Sequence, residues 1–177
     1  MIFIARFSGP SVITYFGIIV GVLGIYLASS DINWSIACLF ICAICDFFDG
    51  KFARLFRRNE QEKKFGIMID SLADTLMFAA LPSVILFSLY PSMASLVVGC
   101  VYALCGITRL AVFTSEAEPN KKLTHYRGLP ITSAGFIIPV IYVMLTIFSW
   151  PAAEAVLYVT YAALSLLFIL NIKVRKP

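Results

Sequence analysis

The chain has 177 residues, 60% of them hydrophobic and only 14% charged, with a net charge of +4. A soluble domain carries about 25% charged residues, so this composition excludes one and predicts a single membrane domain over residues 1–177. A mean hydropathy of +0.91 agrees, and nucleic acid is not an expected partner.

Met1 to Gly9 is short and mixed, with Arg6 among apolar residues, and reads as a segment lying along the membrane surface. It lacks a small-residue cleavage site, so no signal peptide is expected. A first apolar segment runs from about Ser11 to Ala28, where Gly17, Gly21 and Gly24 give it a small face for close helix contact. After a turn at Ser29 to Asn33, a second segment runs from about Trp34 to Phe56. A polar loop, Asn59 to Lys64, leads to a third from about Phe65 to Leu89, which Pro82 is expected to kink. Tyr90-Pro91-Ser92 reads as a tight turn, and a fourth segment follows from about Met93 to Phe113. Ser115 to Gly128 is the longest polar loop. The last two segments run from about Pro130 to Phe148 and Ala152 to Leu170. Each meets the roughly 17–25 residues of a span, and no β pattern is visible. The expected fold is therefore an all-α bundle of six transmembrane helices.

All fourteen lysines and arginines then fall on or near one side. The opposite loops hold only Asp31 and Glu154. The positive-inside rule places both termini and the loop after the second segment in the cytoplasm. The five cysteines, Cys38, Cys42, Cys45, Cys100 and Cys105, all lie in apolar segments and read as small packing residues without a structural disulfide.

Four carboxylates stand inside this apolar background. Asp46, Asp49, Gly50 and Ala53 are spaced i, i+3, i+4, i+7, and Gly66, Asp70 and Asp74 are spaced i, i+4, i+8. Each set forms one stripe on a helix, and two antiparallel neighbours can point the stripes at each other. A central intramembrane Asp costs roughly 2.5–3.5 kcal/mol, and clustered like charges cannot all stay ionised without a cation. Oxygen-only ligands suit Mg²⁺ or Mn²⁺, with Ca²⁺ admissible at one site. The four acids, Asp46, Asp49, Asp70 and Asp74, could hold two such ions.

The same stretch resembles the signature of the CDP-alcohol phosphatidyltransferase family. Asp46-Phe-Phe-Asp49-Gly50-Lys-Phe-Ala53-Arg54, eleven residues, then Gly66-Ile-Met-Ile-Asp70-Ser-Leu-Ala-Asp74 matches D-x2-D-G-x2-A-R…G-x3-D-x3-D at every fixed position. The resemblance implies an integral membrane enzyme of the inner or plasma membrane, with its active site facing the cytoplasm. It would move a phosphatidyl or related group from a CDP-diacylglycerol-type lipid to an alcohol and release CMP. It further implies a homodimer and a general-base role for Asp74, which could also complete a metal site. Asp46, Gly50, Ala53, Arg54, Gly66 and Asp70 would contact the nucleotide or CDP-lipid. Arg54 is equally suited to capping the cytoplasmic end of its helix.

Further residues resemble the serine-using branch of that family. These are Asp70-Ser71-Leu72-Ala73-Asp74 followed by Phe78 and Ala80-Leu81-Pro82, then Thr108-Arg109-Leu110-Ala111-x-Phe113, then Tyr126-Arg127-Gly128-Leu129-Pro130. The implied acceptor is L-serine. Arg109 would grip its carboxylate, unless it snorkels or pairs with a motif Asp. Arg127 would bind phosphate or carboxylate, or stand solvated. His125 reads as a loop residue, and Lys121 and Lys122 as contacts to anionic headgroups of membrane lipids. Three positions depart from the pattern. Gly17 stands where the family often has Asn, Val112 replaces a basic residue, and Thr132 replaces a second proline. Two other readings remain at this stage. The same chemistry could use glycerol 3-phosphate or inositol phosphate, and intramembrane aspartates also serve cation transporters.

Overall fold

The computed structural model describes residues 11–53, 60–116, 125–127, 129–170 and 173–175. Among the described residues six helices follow one another: α1 Ser11–Leu27, α2 Ile32–Ala53, α3 Glu60–Leu89, α4 Met93–Glu116, α5 Ala134–Ile147 and α6 Ala153–Ile169. A 3₁₀ turn, Ile131–Ser133, leads into α5. Two three-residue strands, β1 His125–Arg127 and β2 Lys173–Arg175, pair antiparallel with His125 opposite Arg175. This ribbon departs from the expected absence of β structure. Three residues are too few to show a two-residue alternation in sequence.

Two helices begin earlier than the hydropathy suggests. α2 starts at Ile32 because the Asp31 carboxylate accepts the backbone N–H groups of Asn33 at 3.0 Å and Trp34 at 3.4 Å, which is an N-cap. α3 starts at Glu60 rather than Phe65. Glu60 and Glu62 lie in its first turn, where the helix dipole favours negative charge. By length and composition α2, α3 and α4 can cross a bilayer, whereas the apolar runs of α1, α5 and α6 are shorter. At about 1.5 Å per residue, the 30-residue α3 reaches about 45 Å. A hydrocarbon layer of about 30 Å therefore leaves its charged first turns outside.

α3 runs through the middle of the bundle. Its centre, Thr75–Ala80, is π-helical, and Leu81 donates its N–H to Leu76 five residues back. Pro82 has no N–H, so the Phe78 carbonyl loses its usual helical donor. Tyr102 of α4 supplies one instead, its hydroxyl donating to the Phe78 carbonyl at 2.7 Å. Tyr161 of α6 also donates its hydroxyl, to the Pro82 carbonyl at 2.7 Å. Phe78, Leu81, Tyr102 and Tyr161 are all buried, and the two tyrosine rings pack tilted to each other with centroids 5.0 Å apart. The expected kink is thus taken up as a widened turn, and the Phe78 carbonyl that Pro82 frees is bonded by Tyr102 of the neighbouring α4.

α1 and α2 form an antiparallel hairpin joined along small residues. A Cβ built on Gly24 would stand 2.9 Å from the Cys38 Cβ; one on Gly21, 3.8 Å from the Cys42 Sγ; one on Gly17, 3.7 Å from the Cys45 Cβ. The backbones approach so closely that the Cys42 thiol reaches the Gly17 carbonyl at 3.5 Å. All five cysteines are free. α5 packs on another side of α2, with Phe136 edge-on to Phe40 at 5.7 Å and Gly135 against Ala43. Tyr142 of α5 closes the far end by donating to the Asn33 Oδ1 at 2.9 Å. Many large apolar side chains stay exposed on the outside, among them Phe16, Ile19, Leu104 and Leu166. That is the surface expected against lipid tails.

Candidate active site

Consecutive helices run in opposite directions, so one end of the bundle gathers the start of α1, the end of α2, the first half of α3, the end of α4 and the start of α5. Cross-links between distant residues mark this end. Thr14 donates to Asp49, and the Ser71 and Thr114 hydroxyls lie 2.6 Å apart between α3 and α4. The Leu129 N–H, just before α5, donates to the Leu167 carbonyl of α6 at 3.2 Å.

The four aspartates meet at this end. Carboxylate oxygens of Asp46, Asp49 and Asp70 lie within 4.8 Å of one another. Asp49 is buried and its Oδ2 accepts the Thr14 hydroxyl at 3.0 Å. The Asp46 carboxylate lies beside that of Asp74 and beside the Thr132 hydroxyl, each close enough to interact with it. Asp74 is buried, and its Oδ1 has no hydrogen-bond partner among the described residues. A buried carboxylate oxygen left without a donor is costly, and it lies one helical turn beyond Asp70. Three converging carboxylates and an orphaned fourth oxygen, with no nitrogen or sulfur donor among them, fit a hard divalent cation.

Of the other predicted site residues, Gly66 sits half-buried on α3, one turn before Asp70. Gly50 and Ala53 lie in the last turns of α2. Arg54 lies outside the described residues, and Arg127 is described only as backbone in β1. Arg109 is on α4, half-buried, with its Nε shielded from solvent and its guanidinium carbon 6.0 Å from the Phe113 ring centroid. That spacing is at the edge of cation–π range. The Ser71–Thr114 contact ties the end of α4 to α3 beside Asp70.

Two residues that contact the carboxylates have no counterpart among the sequence expectations. Thr14 carries a signal visible in retrospect, because it shares one helical stripe with Gly17, Gly21 and Gly24. Thr132 was visible only as a departure from a family pattern.

Comparison with known proteins agrees with this geometry. Residues 7–169 match the CDP-alcohol phosphatidyltransferase family. The chain belongs to that family of membrane enzymes. It is 31% identical over 136 residues to the CDP-diacylglycerol–serine O-phosphatidyltransferase of Bacillus subtilis, covering 75% of this chain and 73% of that protein. It is 31% identical over 134 residues to the protein of the same name from Helicobacter pylori, covering 73% of this chain but 54% of the relative. A shorter match, 38% over 77 residues, joins it to the CDP-diacylglycerol–glycerol-3-phosphate 3-phosphatidyltransferase of Cereibacter sphaeroides, covering 41% of this chain and 34% of that one.

Proposed function

We propose that this chain transfers the phosphatidyl group of CDP-diacylglycerol, or of an archaeal-type CDP-lipid, to L-serine and releases CMP. The observation that carries the reading is the meeting of Asp46, Asp49 and Asp70 within 4.8 Å, beside the buried oxygen of Asp74 that has no partner among the described residues. Two relatives named for serine transfer support the choice of acceptor.

Asp46, Asp49 and Asp70 would hold Mg²⁺ or Mn²⁺, with Ca²⁺ admissible at one site. When bound, the ions supply positive charge to the diphosphate and to the departing CMP. The chain's own groups perform the remaining work. Arg109 binds the serine carboxylate and turns the hydroxyl toward the carboxylate end of α3. Asp74 Oδ1 takes the hydroxyl proton as the serine oxygen attacks the phosphorus that bears diacylglycerol. A new P–O bond to serine forms, and the bond from that phosphorus to the CMP oxygen breaks. Gly50, Ala53 and Gly66 leave room for the nucleotide by lacking bulk; Arg54 would bind a phosphate of the CDP-lipid, and Arg127 the acceptor.

The six helices act as six spans, with both termini and the carboxylate end toward the cytoplasm. The asymmetry of basic residues supports this orientation. The working form is a homodimer in the inner or plasma membrane.

The test is CMP release by purified protein given CDP-diacylglycerol and, separately, serine, glycerol 3-phosphate or inositol phosphate. Serine-dependent release that stops in EDTA and returns with Mn²⁺ is expected. The match to the glycerol-phosphate enzyme makes glycerol 3-phosphate the specific competitor. Preference for either phosphate-bearing alcohol rejects the serine assignment. No CMP with any acceptor rejects transfer and favours the transporter reading.

A further inference from the structure

α2 is gripped on two sides by antiparallel neighbours, and the contacts step along it in register. On the α1 side the rungs are Gly24 with Cys38, Gly21 with Cys42 and Gly17 with Cys45. The next rung, one turn further, is Thr14 donating to Asp49 at 3.0 Å. On the α5 side the rungs are Tyr142 with Asn33, Phe136 with Phe40 and Gly135 with Ala43. The next rung is Thr132 with Asp46. Apart from the Tyr142–Asn33 hydrogen bond at the far end, both ladders consist of small or aromatic packing contacts until they reach the carboxylates. Each then ends in a threonine hydroxyl.

We propose that Thr14 and Thr132 are a pair of positioning residues, which clamp the two α2 carboxylates from opposite sides in the orientation that binds the divalent cation. The proposal rests on the metal reading above and adds what fixes its geometry. A carboxylate on a helix can swing between side-chain rotamers. One donated hydrogen bond selects a rotamer and occupies one of about four lone-pair positions, leaving the rest for the ion. A hydroxyl suits this task because it donates without neutralising the charge. An arginine there would compete with the cation. Threonine adds stiffness, since its branched Cβ restricts the first side-chain torsion. The helix backbones, locked by the glycine and alanine rungs, therefore aim the donors. Two independent elements converge on neighbouring acids, and Thr132 does so from a position that departs from the family pattern.

Ligand-orienting partners of this kind typically alter metal affinity by about 10–100-fold. The experiment uses full-length protein in detergent with Mn²⁺ as the probe, followed by the electron paramagnetic resonance signal of free Mn²⁺ and by the Mn²⁺-induced rise in Tm. Thr14→Val and Thr132→Val should each weaken Mn²⁺ binding by about tenfold or more, and the double variant further. Thr14→Ser and Thr132→Ser should restore it, because the hydroxyl returns. In CMP release the Mn²⁺ activation constant should rise while the serine KM stays near wild type. Thr14→Ala and Thr132→Ala repeat the measurement without a buried methyl in place of the hydroxyl. A merely structural role would lower the metal-free Tm of the valine and alanine variants and leave Mn²⁺ affinity unchanged, which overturns the clamp alone. Wild-type protein that binds Mn²⁺ no better than Asp70→Asn overturns the metal reading and the clamp with it.

Discussion

Gly135→Ala tests the link between helix packing and the site. Gly135 is the second residue of α5, one turn after Thr132. A Cβ added there would lie 2.7 Å from the Ala43 Cβ and 2.7 Å from Phe78 Cε1. Carbon atoms rest at about 3.5–4.0 Å, so α5 must move away from α2 by about 1 Å. Neither neighbour can yield. The Ala43 Cβ is fixed to the α2 backbone, and Phe78 is fully buried in the π-helical turn. Overpacking of this kind costs about 1–3 kcal/mol. A displacement of about 1 Å at a catalytic group can cost about 10²-fold in rate, and Thr132 with its carboxylate lies directly along that path. The expected outcome is a lower Tm in detergent and a kcat for CMP release reduced by up to about 10²-fold. Adding Ala43→Gly should return part of both losses, since one of the two obstructing atoms is then gone. Gly99→Ala is the control. Its Cβ would meet Ser83 atoms at 3.4 Å and beyond, an ordinary contact, and should change little. Wild-type Tm and kcat in Gly135→Ala would refute the rigid contact between α2 and α5 from which this reasoning starts.

Three further outcomes are expected. Asp74→Asn should lower kcat by about 10²-fold or more while CDP-lipid binding stays near wild type, as measured by equilibrium binding; an equal loss of binding would make Asp74 a metal ligand rather than the base. Tyr102→Phe should leave the Phe78 carbonyl unbonded in the core and destabilise the protein by about 1–3 kcal/mol, read as a fall in thermal or denaturant stability. Arg109→Ala should raise the serine KM by about ten- to a hundredfold, for the loss of a charge-assisted contact of about 1.5–3 kcal/mol, with the KM for CDP-lipid much less affected.

The two carboxylate stripes were legible because each obeys helical spacing within one helix, and the structure brings Asp46, Asp49 and Asp70 together as that spacing requires. The six apolar segments correspond to the six helices for the same reason. What stayed hidden depended on partners far away in sequence. Pro82 announced a disturbed helix, but the form of the disturbance rests on the hydroxyls of Tyr102 and Tyr161, supplied by α4 and α6. Glu60 to Lys64 looked like a loop because charge was read as an end of helix, whereas a helix longer than the bilayer carries its charges beyond it.

The threonines show how a contact can be invisible locally and still be predictable. Nothing around Thr14 distinguishes it from any hydroxyl near the start of an apolar helix. The glycine stripe, however, fixes the face by which α1 meets its neighbour, and the cysteine row fixes the facing stripe of α2. Once Gly24 is set opposite Cys38, an antiparallel pair advances one turn per rung and must bring residue 14 to residue 49. The same stepping from Gly135 and Ala43 brings residue 132 to residue 46. The packing register, set by residues without chemistry of their own, therefore decides which side chains reach the carboxylates. This is why substitutions among the glycines should alter cation binding as well as stability.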